Sequence, residues 1–356
     1  MQRSAETITE SLKKVPPFPP VAVKLLSLLS NPVVDTNEVA DLIASDAAFT
    51  ARLLQRVNSA EFGFVSDITN VRRAVALLGL DTTRQTTLAH AAAAYAQGGL
   101  KTETMRRSWQ HTVATAVLAE EIALGCDAFP GVAFTAGIMH DIGRLGLLVA
   151  YPEEYERVIR NAAQRSLDVL EFEEEEFGAH HAEAGRLLAE RWGLPAEMML
   201  IAGRHHDPCE GQELSLLRIV HVACRLADAL GYDVVKPLAA LQASDVTAEL
   251  PAPARARLGR APEQLCERIE ERIREFGSEP SGAPPEETLA LLASANAAAD
   301  PGPGTEDATD SGAELDSVEL AGEPSPSRRP RRIILWMAAA VTFLALAALW
   351  WASRNR

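Results

Sequence analysis

Through the first 275 positions, apolar residues recur at intervals of three and four, the spacing that gathers them on one face of a helix. Val21–Ser30 is one such run, and the preceding Pro16-Pro17-Phe18-Pro19-Pro20 fixes where it begins. Thr36 can cap a second helix that starts near Asn37 and carries Val39, Leu42 and Ile43. Glu38 and Asp41 sit in its first turn, where acids favour the helix dipole. Ala47–Val57 follows, with Phe49, Leu53, Leu54 and Val57 on its stripe. Val71–Leu78 ends at Gly79, and Thr82–Ala94 follows Asp81. Further helices are predicted over Ser108–Leu124, Val132–His140, Glu153–Ser166, His181–Trp192, Glu197–His205 and Leu214–Leu230. No stretch alternates like a half-buried strand, so the predicted class is all-α. Arg72 and Arg73, and the acidic run Glu171–Glu176, read as solvated helix faces.

The pattern changes after residue 275. From 276 to 332 the chain is rich in Pro, Gly, Ser and acids, and between Asp300 and Pro326 it carries eight acids and no base. Such a segment buries too little apolar surface to offset its ordering entropy, and reads as an acidic tether. One short helix is predicted within it, over Pro285–Ala298. Then Ile333 to Ala352 runs apolar with Thr342 as its one polar member. At 1.5 Å per residue this run spans about 30 Å, the thickness of a bilayer's hydrocarbon core. Trp336, Trp350 and Trp351 lie near its ends, where aromatic belts form. Arg328, Arg329, Arg331 and Arg332 precede it, whereas only Arg354 and Arg356 follow. The positive-inside rule therefore predicts a single-pass tail anchor in the inner membrane, with residues 333–352 as the contact with lipid, the N-terminal part cytoplasmic and 353–356 a short tail.

Composition narrows the partners. The 356 residues carry a formal net charge of −15, which leaves no broad basic face for phosphate backbones, so no nucleic-acid partner is expected. The four cysteines, Cys126, Cys209, Cys224 and Cys266, form no CxxC pair and are widely scattered, as in a reducing compartment.

Chemistry concentrates in the histidines. Seven of the eight lie between residues 111 and 221. His111, the His140-Asp141 pair, His181 and the His205-His206 pair fall at helix positions or helix ends. Imidazole and carboxylate ligate zinc, manganese or iron, and an adjacent His-Asp pair can serve one metal or two neighbours. A metal in turn lowers the pKa of bound water and clamps phosphate. His180 reads as a solvated neighbour, and His90 and His221 as structural.

These motifs resemble the HD superfamily of metal-dependent phosphohydrolases, and more closely its HDOD branch. The carriers are Val15–Pro20 with Leu25-Leu26; Asp46 through Phe49 and Leu53-Leu54 to Asn58-Ser59-Ala60-Glu61-Phe62-Gly63; and Ala74–Leu80. Downstream, Trp109-Gln110-His111, Ala136–Gly143, Phe177-Gly178 to His181, Trp192–Pro195 and His205-His206 fall in the family's order. The resemblance implies an N-terminal helical half (1–105), an HD-like half (106–275), and a divalent metal held by His111, His140, Asp141, His181, His205 and His206. Where the HD pattern has its last Asp, this chain has Cys224. Asp228 stands one turn further on, and either could substitute as a ligand. Arg144 aligns with a phosphate-contacting lysine of HD-GYP phosphodiesterases. The resemblance implies a signal-transduction module that binds a protein partner, or a small phosphorylated ligand such as a nucleotide second messenger. The alternative is a metal-dependent phosphohydrolase or cyclic-dinucleotide phosphodiesterase, and a purely structural scaffold is a third reading. Asn58 and Ser59 are expected to shape the turn between helices.

Overall fold

A computed structural model describes residues 5–29, 33–64, 67–97, 102–126, 128–165, 168–207, 214–235, 241–280 and 286–297, and among these residues it contains seventeen helices and no strand. The first five are α1 (Ala5–Leu12), α2 (Pro20–Leu29), α3 (Thr36–Ala44), α4 (Ala47–Val57) and α5 (Val71–Gln97). Then come α6 (Glu103–Gly125), α7 (Pro130–Met139), α8 (Ile142–Ala150), α9 (Pro152–Arg165), α10 (Val169–Phe177), α11 (His181–Arg191), α12 (Ala196–Arg204) and α13 (Leu216–Ala229). The last four are α14 (Ala243–Ala248), α15 (Ala252–Gly259), α16 (Pro262–Glu275) and α17 (Glu286–Ala297).

Aspartates start the N-terminal helices. Asp35, rather than Thr36, caps α3 by accepting from Asn37 N at 2.8 Å, because Thr36 already has helical geometry. Asp46 caps α4, accepting from Ala48 N at 2.8 Å and Phe49 N at 3.2 Å. That capping role explains the aspartate in the Asp46–Gly63 motif. Asn58 ends α4: its Nδ2 donates to Leu54 O and Ile68 O, each at 2.9 Å, and its Oδ1 accepts from Ile68 N at 2.7 Å. The amide thus pins the loop that follows. Gly79 bends α5 with a φ of 76°, a conformation glycine adopts at little cost.

α5 packs against α2, α3 and α4 and also against α6, α7 and α8, so both halves of the chain contribute to one apolar core. α6 is its centre. It meets α7, α8, α13, α15 and α16, and is buried on nearly every side. Gly137 permits the α6–α7 approach, since a Cβ there would lie 2.5 Å from Ala116 Cα. The stretch Pro130–Ala150 has the length and apolarity of a membrane span, yet it forms α7 and α8 inside this core and is broken at His140-Asp141.

Two expectations change. Part of the stretch read as tether is a docked helix: α17 packs on α14, α15 and α16 with Leu292 fully buried. The run Glu171–Glu176 is not uniformly solvated, because Glu173 is completely buried. The rest of the tether and the expected anchor at 333–352 lie outside the described residues.

Candidate metal centre

The break between α7 and α8 places the central pair. His140 terminates α7 and Asp141 precedes α8 at the N-cap position, yet the Asp141 side chain makes no capping hydrogen bond. Its carboxylate turns inward. α6 supplies His111, the start of α11 supplies His181, the end of α12 supplies His205 and His206, and α13 supplies Cys224 and Asp228. Gly143 sets the spacing of α8 and α11: a Cβ there would fall 2.0 Å from His181 O and 2.3 Å from Gly185 N. Only glycine fits that crossing.

All six histidine and aspartate candidates meet. Their donor atoms form three overlapping groups, each within 4.8 Å: His111, His140 and Cys224; His140, Asp141 and His205; His181, His205 and His206. Five of the six are buried, and His206 lies exposed at the rim.

The tautomers follow from the outer contacts, because a carbonyl oxygen can only accept. His140 Nδ1 donates to Gly137 O at 2.6 Å. His205 Nδ1 donates to Ala202 O at 3.1 Å and Ile201 O at 3.2 Å. His111 Nδ1 faces Tyr232 O and Asp228 Oδ1, both at 3.2 Å. His181 Nδ1 lies 2.6 Å from Glu173 Oε2. Each ring is held by its outer nitrogen, leaving Nε2 directed at the interior. Metal-binding histidines are oriented in this way.

Three of the interior atoms lack partners of their own. Asp141 Oδ1 and Oδ2 and His205 Nε2 are buried without a hydrogen bond. Asp141 Oδ1 is 3.2 Å from His181 Nε2 and 3.7 Å from His205 Nε2. Its Oδ2 lies 2.9 Å from Arg144 Nε, a close ion pair that lacks hydrogen-bond alignment. His181 Nε2 is 2.8 Å from His206 Nε2. Orphaned buried acceptors of this kind call for a cation or water among them. The residues fit a divalent metal.

Electrostatics agree. Burial opposes ionisation of Asp141, but Arg144 and the surrounding imidazoles outweigh it and hold its carboxyl well below the usual range. Burial above all pushes His140 down to about 4: Asp141 beside it raises it, and the charges of His111 and Arg144 lower it further. Burial and His206 hold His205 well below the ordinary imidazole value. Both rings are therefore neutral near pH 7, the form that ligates metal. His111 goes the other way. Burial lowers it, but Cys224 and Asp228 beside it raise it further. Burial also raises Cys224, which keeps it a thiol, so Asp228 carries the raise at His111.

Arg144 is buried at 5% exposure, paired with Asp141 and within 3.1 Å of His181 Nε2. Its guanidinium is occupied inside the cluster. Cys224 Sγ stands 3.4 Å from His111 Nε2, on the inner side, while Asp228 sits behind the same ring at Nδ1. The one-turn choice between them thus resolves into two roles, one facing the interior and one orienting the imidazole. His180 caps α11 through its Nδ1, which accepts from Glu183 N at 3.4 Å, rather than standing free in solvent. His221 Nδ1 donates to His205 O at 2.8 Å. His90 packs edge-on to Phe49.

Glu173 and Tyr155 were not singled out from the sequence. Tyr155 Oη donates to Glu173 Oε1, and the other carboxylate oxygen accepts from His181 N at 2.7 Å as well as facing Nδ1. A signal existed: Glu173 is four residues after Val169 and four before Phe177, on the apolar stripe of α10 rather than its polar face.

The motif order and this geometry agree with a family match: the HDOD domain pattern covers residues 15–208, over half the chain. The chain belongs to the HDOD family. Among relatives, an uncharacterized protein of Treponema pallidum (strain Nichols) is 27% identical over 207 residues, which is 57% of this chain and 40% of that protein. The HDOD chain thus spans well under half the length of that relative. Among solved structures, an HDOD domain protein of unknown function from Geobacter sulfurreducens shares 23% identity at a TM-score of 0.63, covering 76% of this chain and 98% of its own. A provisionally named phosphohydrolase from Shewanella amazonensis has 22% identity, a TM-score of 0.55 and coverage of 81% and 100%. A provisionally named signal transduction protein from Marinobacter aquaeolei has 22% identity, a TM-score of 0.54 and coverage of 83% and 62%. These likenesses show the fold. The HDOD pattern ends before α13, so Cys224 and Asp228 lie beyond it.

Proposed function

We propose that this HDOD chain is a signalling module whose core is held by a divalent metal, and that it acts by binding a partner protein or a small phosphorylated ligand rather than by hydrolysis. The observation that carries this reading is closure. His111, His140, Asp141, Arg144, His181 and His205 are each no more than 5% exposed, so a phosphodiester cannot touch them without the helices parting. Arg144, the guanidinium of the cluster, is already engaged by Asp141. His111, His140, Asp141, His181 and His205 would hold the metal, with His206 at the rim. The metal would supply Lewis acidity and a fixed joint among α6, α7, α11 and α12. Iron, manganese and zinc all suit such a donor set. The provisional signal-transduction name of the Marinobacter protein points the same way.

The alternative is a phosphohydrolase or cyclic-dinucleotide phosphodiesterase. His206 favours it, because its exposed position next to His181 gives the cluster one contact with solvent. One experiment separates the two. The full chain is purified without a metal-binding tag, its metal content measured, and a cyclic dinucleotide offered. Stoichiometric metal that disappears in His140→Ala, with no turnover, is expected. Metal-dependent turnover abolished by the same substitution establishes the enzyme instead.

Residues 333–352 are proposed to hold the module at the inner face of a membrane, where tethering raises its local concentration near partners. A chain ending before Arg328 should leave the membrane fraction. If it stays there, the anchor lies elsewhere.

A further inference from the structure

At one end of the cluster the interior donors are two imidazoles and a thiol. His111 Nε2 lies 3.4 Å from His140 Nε2 and 3.4 Å from Cys224 Sγ, and all three donors fall within 4.8 Å of one another. Tetrahedral zinc has Zn–N bonds of about 2.0–2.1 Å and Zn–S bonds of about 2.3 Å, which place neighbouring nitrogens roughly 3.3 Å apart and nitrogen and sulfur roughly 3.6 Å apart. The observed separations match both values to within a few tenths of an ångström. The three side chains are also fixed from behind: His140 by Gly137 O, His111 by Asp228 and Tyr232 O, and Cys224 by its place on the buried face of α13.

From this geometry we infer that His111, His140 and Cys224 form a thiolate metal position that selects zinc-like cations over manganese or magnesium. The inference rests on the proposal that the cluster holds a metal, and it assigns which class of ion this end takes and why. Carboxylate in the same place would favour hard, oxygen-seeking cations. A thiolate favours softer ions that accept tetrahedral geometry. On binding, the Cys224 S–H bond and the His111 Nε2–H bond break, both protons leave to solvent, and sulfur and nitrogen each donate an electron pair to the ion. No redox change occurs. Asp228 then keeps its place behind His111 as the group that orients the ring and raises its basicity.

Cobalt(II) reads this directly, because a thiolate ligand produces an intense near-ultraviolet charge-transfer band and tetrahedral geometry intensifies the visible bands. Titration of the metal-free full chain should give both. In Cys224→Ser the visible bands persist, carried by the histidines, while the charge-transfer band is lost. Zinc affinity should fall there by more than the roughly 10–100-fold that loss of an outer-shell partner costs. Cys126→Ser, on a partly exposed cysteine away from the cluster, should leave the band unchanged. Cys224→Asp should shift the preference toward manganese. Cobalt bound without a charge-transfer band, or a band that survives Cys224→Ser, overturns the thiolate assignment and leaves the metal reading intact. Failure of any divalent ion to bind the folded chain overturns both.

Discussion

Glu173 Oε2 and His181 Nδ1 lie 2.6 Å apart with both side chains wholly buried. Burial raises the Glu173 pKa, but His181 and Arg144 lower it further, so the carboxyl stays ionised. A buried carboxylate fixed on one imidazole nitrogen is how metal sites aim the other. Glu173→Ala should therefore act twice. Unpairing a buried partner should cost about 3 kcal/mol in denaturant unfolding. Metal affinity, measured by competition with a chelator, should fall roughly 10–100-fold. Glu173→Gln, which keeps one acceptor oxygen, should lose less of both. Wild-type affinity in the alanine variant would remove His181 from the site.

Gly143 is the tightest point between α8 and α11. Its added Cβ would meet backbone atoms that cannot rotate away, so Gly143→Ala should destabilise by about 3 kcal/mol, at the top of the usual overpacking range. Gly185→Ala, whose Cβ would find its nearest neighbours at 3.3 Å, should cost distinctly less. Urea midpoints of the two variants check the order, and an equal loss would mean the helices slide apart freely.

Asn58 makes three hydrogen bonds to backbone across the turn after α4. Asn58→Ala should cost about 2 kcal/mol, because the part-buried Ile68 N–H and C=O lose their partner. Its effect should appear in thermal unfolding and leave metal affinity unchanged. A loss of metal without a loss of stability would give this motif a role at the site instead.

Acid should unfold the metal-free chain in a particular window. His140 is depressed to about 4 when folded and returns to about 6.5 when unfolded, so the unfolded state takes up the proton first as pH falls. Stability is therefore full above about pH 6.5 and declines down to about 4, by about 1.4 kcal/mol per pH unit for one such ring. His205, depressed in the same direction, adds to the decline. His111 is raised, so its contribution is full below about 6.5 and is lost as pH climbs through its folded value. Stability should peak near pH 6.5, and His140→Ala should flatten the acid limb. Urea midpoints that rise steadily from pH 7 to pH 4 would contradict this.

Much of this was legible in the chain itself. The helical spacing, the Gly79 break and the order of His111, His140-Asp141, His181 and His205-His206 all translate into the fold, because each is a local pattern tied to a long element. Three things were not. Glu173 sits in a run of like acids, where only its spacing from Val169 and Phe177 sets it apart, and the docking of α10 on α9 completes its burial. Cys224 and Asp228 share one face of α13, so only the placement of His111 between them shows which one looks inward. The docking of α17 depends on a surface that α14, α15 and α16 make only once they are packed together, although α16 by itself carries an apolar stripe of Leu265, Ile269 and Ile273.

His206, the exposed member beside five buried ones, also bears on time. An ion held among the buried five would be enclosed by α6, α7, α11 and α12, and its route to solvent would be a local opening at the exposed end of α12. Exchange would then run at the pace of that local opening, whatever the affinity. Such a protein would load slowly and empty slowly, and its state at any moment would record the metal supply of the recent past rather than of the instant.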